Sequence, residues 1–244
     1  MNIFKTSIIT ATTGSPYLAQ TIESVQQQTY SNIEHIVVVD GPEHVQKVQE
    51  IITGPWITDK LKVIVLPHST GKGGYNGHRI YGGASYFASG DYISFLDDDN
   101  WMEPNHIQNM IDVVLKGNAW AYALRNIVNS DGELLCKDDC ESLGKWTSII
   151  NDNFVDVNCY FVSRSQAISM SPAWYRRFRH PDEQPEVDRL IYKILSNNYP
   201  TFDCSKEDSI NYRVGNTERS VQKDFFIKGN QAMLDKHNGK LPWK

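Results

Sequence analysis

Three consecutive carboxylates, Asp97, Asp98 and Asp99, directly follow an apolar run at residues 92–96. Adjacent carboxylates repel one another, so the cluster costs stability unless a cation or several hydrogen bonds compensate. A hard divalent ion, Mn2+ or Mg2+, held by one or two carboxylates plus diphosphate oxygens, is the natural compensation. A solvated acidic turn would carry the same residues with no ion. The buried strand in front of the triad favours the metal site. Asp40 closes a second apolar run, residues 33–39, and is followed by Gly41-Pro42. Alone it reads equally well as a strand-ending turn residue. A later acidic group, Asp182, Glu183, Glu186 and Asp188, accompanies the helical pattern of Val187, Leu190, Ile191 and Ile194. A carboxylate in a first helical turn is held ionised by the helix dipole, as a general base requires at neutral pH. Acidic first turns are also ordinary helix starts.

The elements that must position these groups alternate. Residues 7–11 form a short apolar run that suits a buried strand, and Ser15-Pro16 then opens a helix carrying Leu18, Ile22 and Val25. Residues 33–39 are a second strand, Val45, Val48 and Ile52 mark a second helix, and residues 61–66 are a third strand. The glycine-rich loop 71–77 leads into a helix at 78–88, the fourth strand spans 92–96, and Pro104 opens a helix with Ile107, Met110, Ile111 and Val114 on one face. Such alternation implies an α/β fold, with a mostly parallel sheet covered on both faces and ligands bound beyond the strand carboxyl ends. Asp40 and the triad therefore line one crevice. The second half is less regular: a hairpin from 119–128 and 133–136, a strand at 157–163 and a helix at 186–195. After Val214 a loop and a short helix are expected. No repeat or low-complexity linker divides the chain, which reads as one unit with two lobes.

The run GDYISFLDDDN, residues 90–100, resembles the DxD region of family 2 glycosyltransferases with the GT-A fold. The opening SIITATTGSPYLAQTIESVQQQTYSNIEHIVVVDG, residues 7–41, resembles that family's first strand, helix and second strand. The likeness is good over about the first 115 residues and extends weakly to about residue 215. It implies a single GT-A domain over residues 1–244: a nucleotide-sugar-binding half (about 1–103), an acceptor half (about 104–215) and a C-terminal segment (216–244). It implies inverting transfer of one sugar from a nucleotide diphosphate sugar, UDP before GDP or dTDP, to a glycan, lipid-linked or glycoprotein acceptor. By position, Thr10, Ala11, Thr12 and Asp40 fall on the base and ribose site. The family's frequent Pro-Thr-Tyr-Asn is absent after the first strand. Asp99 falls on the metal ligand, with Asp97 beside it, and Asp97 and Asp98 on ribose, metal water or donor sugar. Lys72 and Arg79, in and after the glycine-rich loop, fall near the diphosphate, as does His78. Asp188, followed by Arg189-Leu190-Ile191-Tyr192, matches the base-bearing helix start; Glu186 comes next, then Glu183 or Asp182. Arg213 and Arg219 flank a segment expected to close over the donor. Trp101, Trp146, Trp174 and Tyr175 are candidates to stack on acceptor sugars.

Composition narrows the alternatives. With 24 Lys+Arg against 29 Asp+Glu the chain is acidic, which argues against a nucleic-acid partner. No run reaches the roughly 18 apolar residues of a membrane span, and the opening run is too short for a signal peptide core. A cytoplasmic protein is expected, with room for contact at a membrane surface. Cys136, Cys140, Cys159 and Cys204 form neither a disulfide framework nor a zinc motif. A sugar-1-phosphate nucleotidyltransferase would carry a basic group after the first strand, where Thr12-Thr13-Gly14-Ser15 stands. An aspartyl-phosphate phosphatase fails at Trp101, and GKGGYNG lacks the glycine–lysine–serine/threonine order of a P-loop. The polymer-extruding synthases' Q-x-x-R-W is absent. A non-catalytic nucleotide-sugar-binding module is the other alternative.

Overall fold

The computed structural model describes residues 4–54, 57–176, 187–215 and 221–244. Its elements run β1 (Thr6–Thr12), α1 (Leu18–Gln26), β2 (Ile33–Val39), α2 (Val45–Ile51), β3 (Leu61–Val65), α3 (His78–Ala84), β4 (Tyr92–Phe95), β5 (Trp101–Met102) and α4 (His106–Val114). The second half continues β6 (Trp120–Val128), β7 (Leu134–Lys137), β8 (Tyr160–Ser163), α5 (Arg164–Trp174), α6 (Val187–Asn198), β9 (Phe202–Arg213) and α7 (Lys223–Lys236). They build one sheet in the order β3-β2-β1-β4-β8-β6-β9-β5, with β7 beside β6. The block β3-β2-β1-β4 is parallel throughout. Beyond it β8 runs antiparallel to both β4 and β6, and β9 returns parallel to β6.

Burial explains the apolar runs. Ile36 and Val38 of β2 belong to the main core, whereas Val37 and Val39 pack with Leu18, Ile22 and Val48 of α1 and α2. A strand covered on both faces reads as continuous rather than alternating. Register then fixes the crevice. Thr12 pairs with Val39, and Ile9 with Phe95. Three residues beyond Phe95 lies Asp98, level with Thr12, so the acidic triad and Asp40 emerge at one edge.

Several elements depart from expectation. The helix at 78–88 ends at Ala84, just after Gly82 and Gly83. The strand expected at 157–163 begins at Tyr160, because 157–159 form a 3-10 turn capped by the Asp156 side chain. Helix α5 and strand β9 were not anticipated. The expected short C-terminal helix is the 14-residue α7, held by Phe226, Gly229 and Met233. No helix among the described residues is long and apolar enough to cross a membrane. All four cysteines are free.

Two buried histidines hold the sheet, His35 of β2 against β1 and His106 of α4 against β9. His35 shares a 2.9 Å hydrogen bond with Thr10, and His106 a 2.8 Å bond with Ser209. Burial pushes both pKa values down to about 3. Above about pH 6.5 each is neutral in both states; below it the unfolded chain takes a proton the fold refuses. Stability should therefore fall between pH 6.5 and 5 by about 2 kcal/mol per histidine. Urea unfolding of wild type and His35→Gln across this range isolates the term from Asp97, whose raised pKa acts in the opposite sense. The variant should lose part of the acid sensitivity, and an unchanged pH slope would contradict the assignment.

Candidate active site

A cavity of about 760 Å3 opens at the carboxyl edge of the parallel block, lined among others by Ala11, Thr12, Asp40, Lys72, Asp97–Asp99, Asp156 and Asp188. Asp40, the residue after β2, lines one end of it. Its carboxylate accepts from the Thr70 amide (2.6 Å) and hydroxyl (2.8 Å), the Gly71 amide (2.8 Å) and the Ser69 hydroxyl (3.1 Å). Burial raises its pKa, but these donors outweigh burial and hold it below the usual range. Gly71 is needed for this approach, since a Cβ there would lie 2.9 Å from Asp40 Oδ2 and 2.7 Å from the Asn76 carbonyl. Asp40 thus also folds the glycine-rich loop, a role that its position at a strand end did not reveal.

The triad is divided by its partners. Asp98 Oδ2 accepts from the Thr12 hydroxyl at 2.6 Å and the Ser15 amide at 3.3 Å, tying the end of β4 to the loop after β1. Asp97 accepts from Tyr81 at 2.5 Å and from the Asn158 amide group at 2.9 Å. Burial, then the charges of Asp99 and Asp156, lift the Asp97 pKa to about 7 despite those bonds. Asp99 lines the cavity beside them.

Behind the triad lies a network that the sequence reading missed. Arg125 is buried on β6 and binds Asp138 (2.8 Å), Asp156 (2.6 Å) and Glu141 (2.5 Å). Asn158 donates to both Asp156 (2.8 Å) and Asp97 (2.9 Å), so the chain Arg125–Asp156–Asn158–Asp97 runs from core to cavity. Burial lowers the Arg125 pKa, but the carboxylates of Asp156, Asp138 and Glu141 outweigh it and raise it well above its ordinary value. The available signal was a lone arginine in the apolar strand WAYALRNIV, which demands buried partners.

Asp188 stands in the first turn of α6 and lines the same cavity. Contrary to the helix-dipole argument, its pKa is raised well above the ordinary value. Burial, then the nearby Asp156 and Asp97 carboxylates, outweigh the lowering by Arg125. Glu186, Glu183, Asp182 and Arg219 lie outside the described residues.

Other expectations are corrected. Thr10 is buried with its hydroxyl on His35, pointing into the protein, while its neighbours Ala11 and Thr12 line the cavity. Arg79 is not brought in: its guanidinium stacks on Tyr75 at 3.6 Å, donates to the Thr70 carbonyl, and borders a separate pocket with Phe87 and Tyr175. Lys72 and His78 do line the cavity. Arg213, one flank of the segment expected to close over the donor, is the last residue of β9 and lines the cavity. It donates to the carbonyls of Asp99, Asn129 and Ser130 and to Gln20, and it stacks on Tyr17 at 3.9 Å. These contacts fix it in place; residues 216–219 of the segment it flanks lie outside the described residues. Among the aromatic candidates, Trp174 is core, Trp146 packs on Trp243, and neither they, Trp101 nor Tyr175 lines the cavity.

The donor set suits a hard divalent ion. All three triad side chains offer oxygen, the donor type that such an ion takes, and they line one cavity together. Among the described residues no three His, Cys, Asp or Glu side chains converge to hold an ion alone. An ion here would be completed by oxygens of a ligand.

Comparison with known proteins agrees with this architecture. An uncharacterized glycosyltransferase of Methanocaldococcus jannaschii is 22% identical, aligning 98% of this chain with 79% of its own length. The chain spans only 18% of the length of two Rickettsia glycosyltransferases, each 30% identical over about half of this chain. The structure of S. aureus TarS 1–349 in complex with UDP-GlcNAc superposes with a TM-score of 0.59 at 14% identity, over 95% of this chain and 66% of that one. The mannosyltransferase PcManGT from Pyrobaculum calidifontis, in complex with GDP-Man and Mn2+, gives 0.58 at 11% identity, over 98% of this chain and 66% of that one. These likenesses show a GT-A fold. The model of Glycosyl transferase family 2 matches residues 6–168, which hold β1 to β8, Asp40, the triad and the Arg125 network. The chain belongs to glycosyl transferase family 2.

Proposed function

We propose that this glycosyltransferase moves one sugar, with inversion, from a nucleotide diphosphate sugar to an acceptor hydroxyl on a glycan, lipid-linked intermediate or glycoprotein. A UDP-sugar is the favoured donor, with GDP- and dTDP-sugars next. The observation that carries this reading is the gathering of Asp40, the triad and Asp188 around one cavity from three distant parts of the chain. The solved neighbours in complex with UDP-GlcNAc and with GDP-Man and Mn2+ support it as relatives in fold.

In this reading Asp40 and the loop it folds receive the base and ribose, with Ala11 and Thr12 alongside. Asp99, with Asp97, would hold Mn2+ or Mg2+, which as a Lewis acid neutralises the charge of the leaving diphosphate. Lys72 adds a positive group on that side. Asp188 accepts the proton of the acceptor hydroxyl as its oxygen bonds to the anomeric carbon and the bond to phosphate breaks. Asn158 and Tyr81 orient Asp97 through the hydrogen bonds described above.

Donor hydrolysis tests this without knowledge of the acceptor. Incubation with Mn2+ and a panel of UDP-, GDP- and dTDP-sugars should release nucleoside diphosphate slowly from one donor class. No release from any of them would support the non-catalytic binding module instead.

A further inference from the structure

Two tyrosines among the described residues line the catalytic cavity, Tyr81 and Tyr212. Tyr81 donates its hydroxyl to Asp97. The Tyr212 hydroxyl has no hydrogen-bond partner among the described residues, yet its oxygen is not sealed in the core. The ring beneath that hydroxyl is fixed. Arg125 of β6 pairs with Ile210 of β9, and Ile127 with Tyr212, so Arg125 and Tyr212 share one face of the sheet. The Arg125 guanidinium lies over the Tyr212 ring at 4.3 Å, while its nitrogens bind Asp138, Asp156 and Glu141. A cation held against a ring face is attracted by the ring's quadrupole. The buried network that reaches Asp97 therefore also places this phenol and leaves its hydroxyl for the cavity.

In the proposed mechanism the transferred sugar spans the space from the triad, where its diphosphate is held, to Asp188. Tyr212 borders that space. It shares the Arg125 guanidinium with Asp156, and Asn158 joins Asp156 to Asp97. Burial and then the Asp156 charge push the phenol pKa further up despite Arg125, so the hydroxyl keeps its proton at neutral pH. A neutral oxygen suits it best as partner. Asp97 and Asp156 repel an anion there unless a cation intervenes, whereas a sugar hydroxyl accepts a hydrogen bond without carrying charge.

We propose that Tyr212 is a substrate-contacting residue whose hydroxyl donates to a hydroxyl oxygen of the sugar being transferred. This rests on the reading of the cavity as a nucleotide-sugar site. The contact separates the sugar from its carrier: it adds to the affinity for the whole donor and nothing to that for the bare nucleoside diphosphate. It also favours donors whose sugar offers an oxygen at the matching position, since a donor group left without its partner loses binding.

Calorimetric titration of the full chain with Mn2+ compares wild type and Tyr212→Phe. The probes are UDP-glucose, UDP-GlcNAc, GDP-mannose and dTDP-glucose and, for whichever binds, its bare nucleoside diphosphate. Phenylalanine keeps the ring on Arg125 and removes only the oxygen, so Tm should stay within about 2 °C of wild type. Affinity for the nucleotide sugar should fall about three- to tenfold, the range for one neutral hydrogen bond, while affinity for the bare diphosphate stays within about twofold. A merely structural hydroxyl would not move one and spare the other. Equal losses for both probes would put the hydroxyl on the phosphates and overturn the proposal. A larger fall in Tm would assign the hydroxyl to the fold and overturn it too. Wild type that binds a nucleotide sugar while the variant binds it equally well would overturn this proposal alone. Wild type that binds none of the four would overturn the donor reading itself, and the role of Tyr212 with it.

Discussion

Asp188→Asn should lower turnover by about 10²–10⁴-fold, the range for a lost general base, while nucleoside diphosphate affinity changes by less than about twofold. The exchange keeps side-chain size and removes only the proton acceptor. Its environment sharpens the expectation. Burial and the charges of Asp156 and Asp97 raise the pKa of Asp188, so only its ionised form accepts the proton and wild-type turnover should rise with pH. Steady-state kinetics with the donor identified by the hydrolysis screen would check this. Turnover within about threefold of wild type would mean that Asp188 serves only its helix, since Asn also stabilises a helix start. Glu186 would then be the next residue to substitute.

Arg125→Met should cost about 3–5 kcal/mol of stability, because Asp138, Asp156 and Glu141 would be left without their buried cation. For a chain of this size that corresponds to a fall in Tm of about 10 °C. Arg125→Lys should fall between, since an ammonium keeps the charge but not the three-way geometry of the guanidinium. Asp138 would suffer least. It also accepts from the amides of Cys140, Glu141 and Ser142, which with Arg125 hold its pKa low despite burial. A Tm within about 2 °C of wild type in Arg125→Met would show that the three carboxylates are satisfied without it.

The first half of the fold was legible because its physics is local. Strands β1, β2 and β4 are apolar runs with clear stops, and parallel register alone brings Asp40 level with the triad. Strand β9 was not legible. Its sequence, FDCSKEDSINYR, is mostly polar, and it is a strand because β6 pairs along it and β5 closes its other edge. Arg213 was consequently not recognised as the last residue of a strand. Helix α5 has little amphipathic pattern and contains Pro172, yet Ser163 and Gln166 form a capping box that could have announced it. The roles of Thr10 and Arg79 failed for a related reason. Position in a motif does not say which way a side chain points, and here Thr10 turns to His35 and Arg79 to Tyr75. The Arg125–Asp156–Asn158–Asp97 chain joins residues from β6, the turn before β8 and the segment after β4, so no local pattern could reveal it.

In the proposed mechanism the acidic triad holds a divalent cation together with a nucleoside diphosphate. Calorimetric titration of UDP in the presence and absence of Mn2+, for wild type and Asp99→Ala, tests it most directly. Wild type should bind UDP at least about tenfold more tightly with Mn2+, and Asp99→Ala should lose that gain while remaining folded, since Asp99 lines the cavity rather than the core. A variant that kept the full Mn2+-dependent gain would contradict the assignment of Asp99 as ligand, and wild-type affinity indifferent to Mn2+ would contradict the metal site itself.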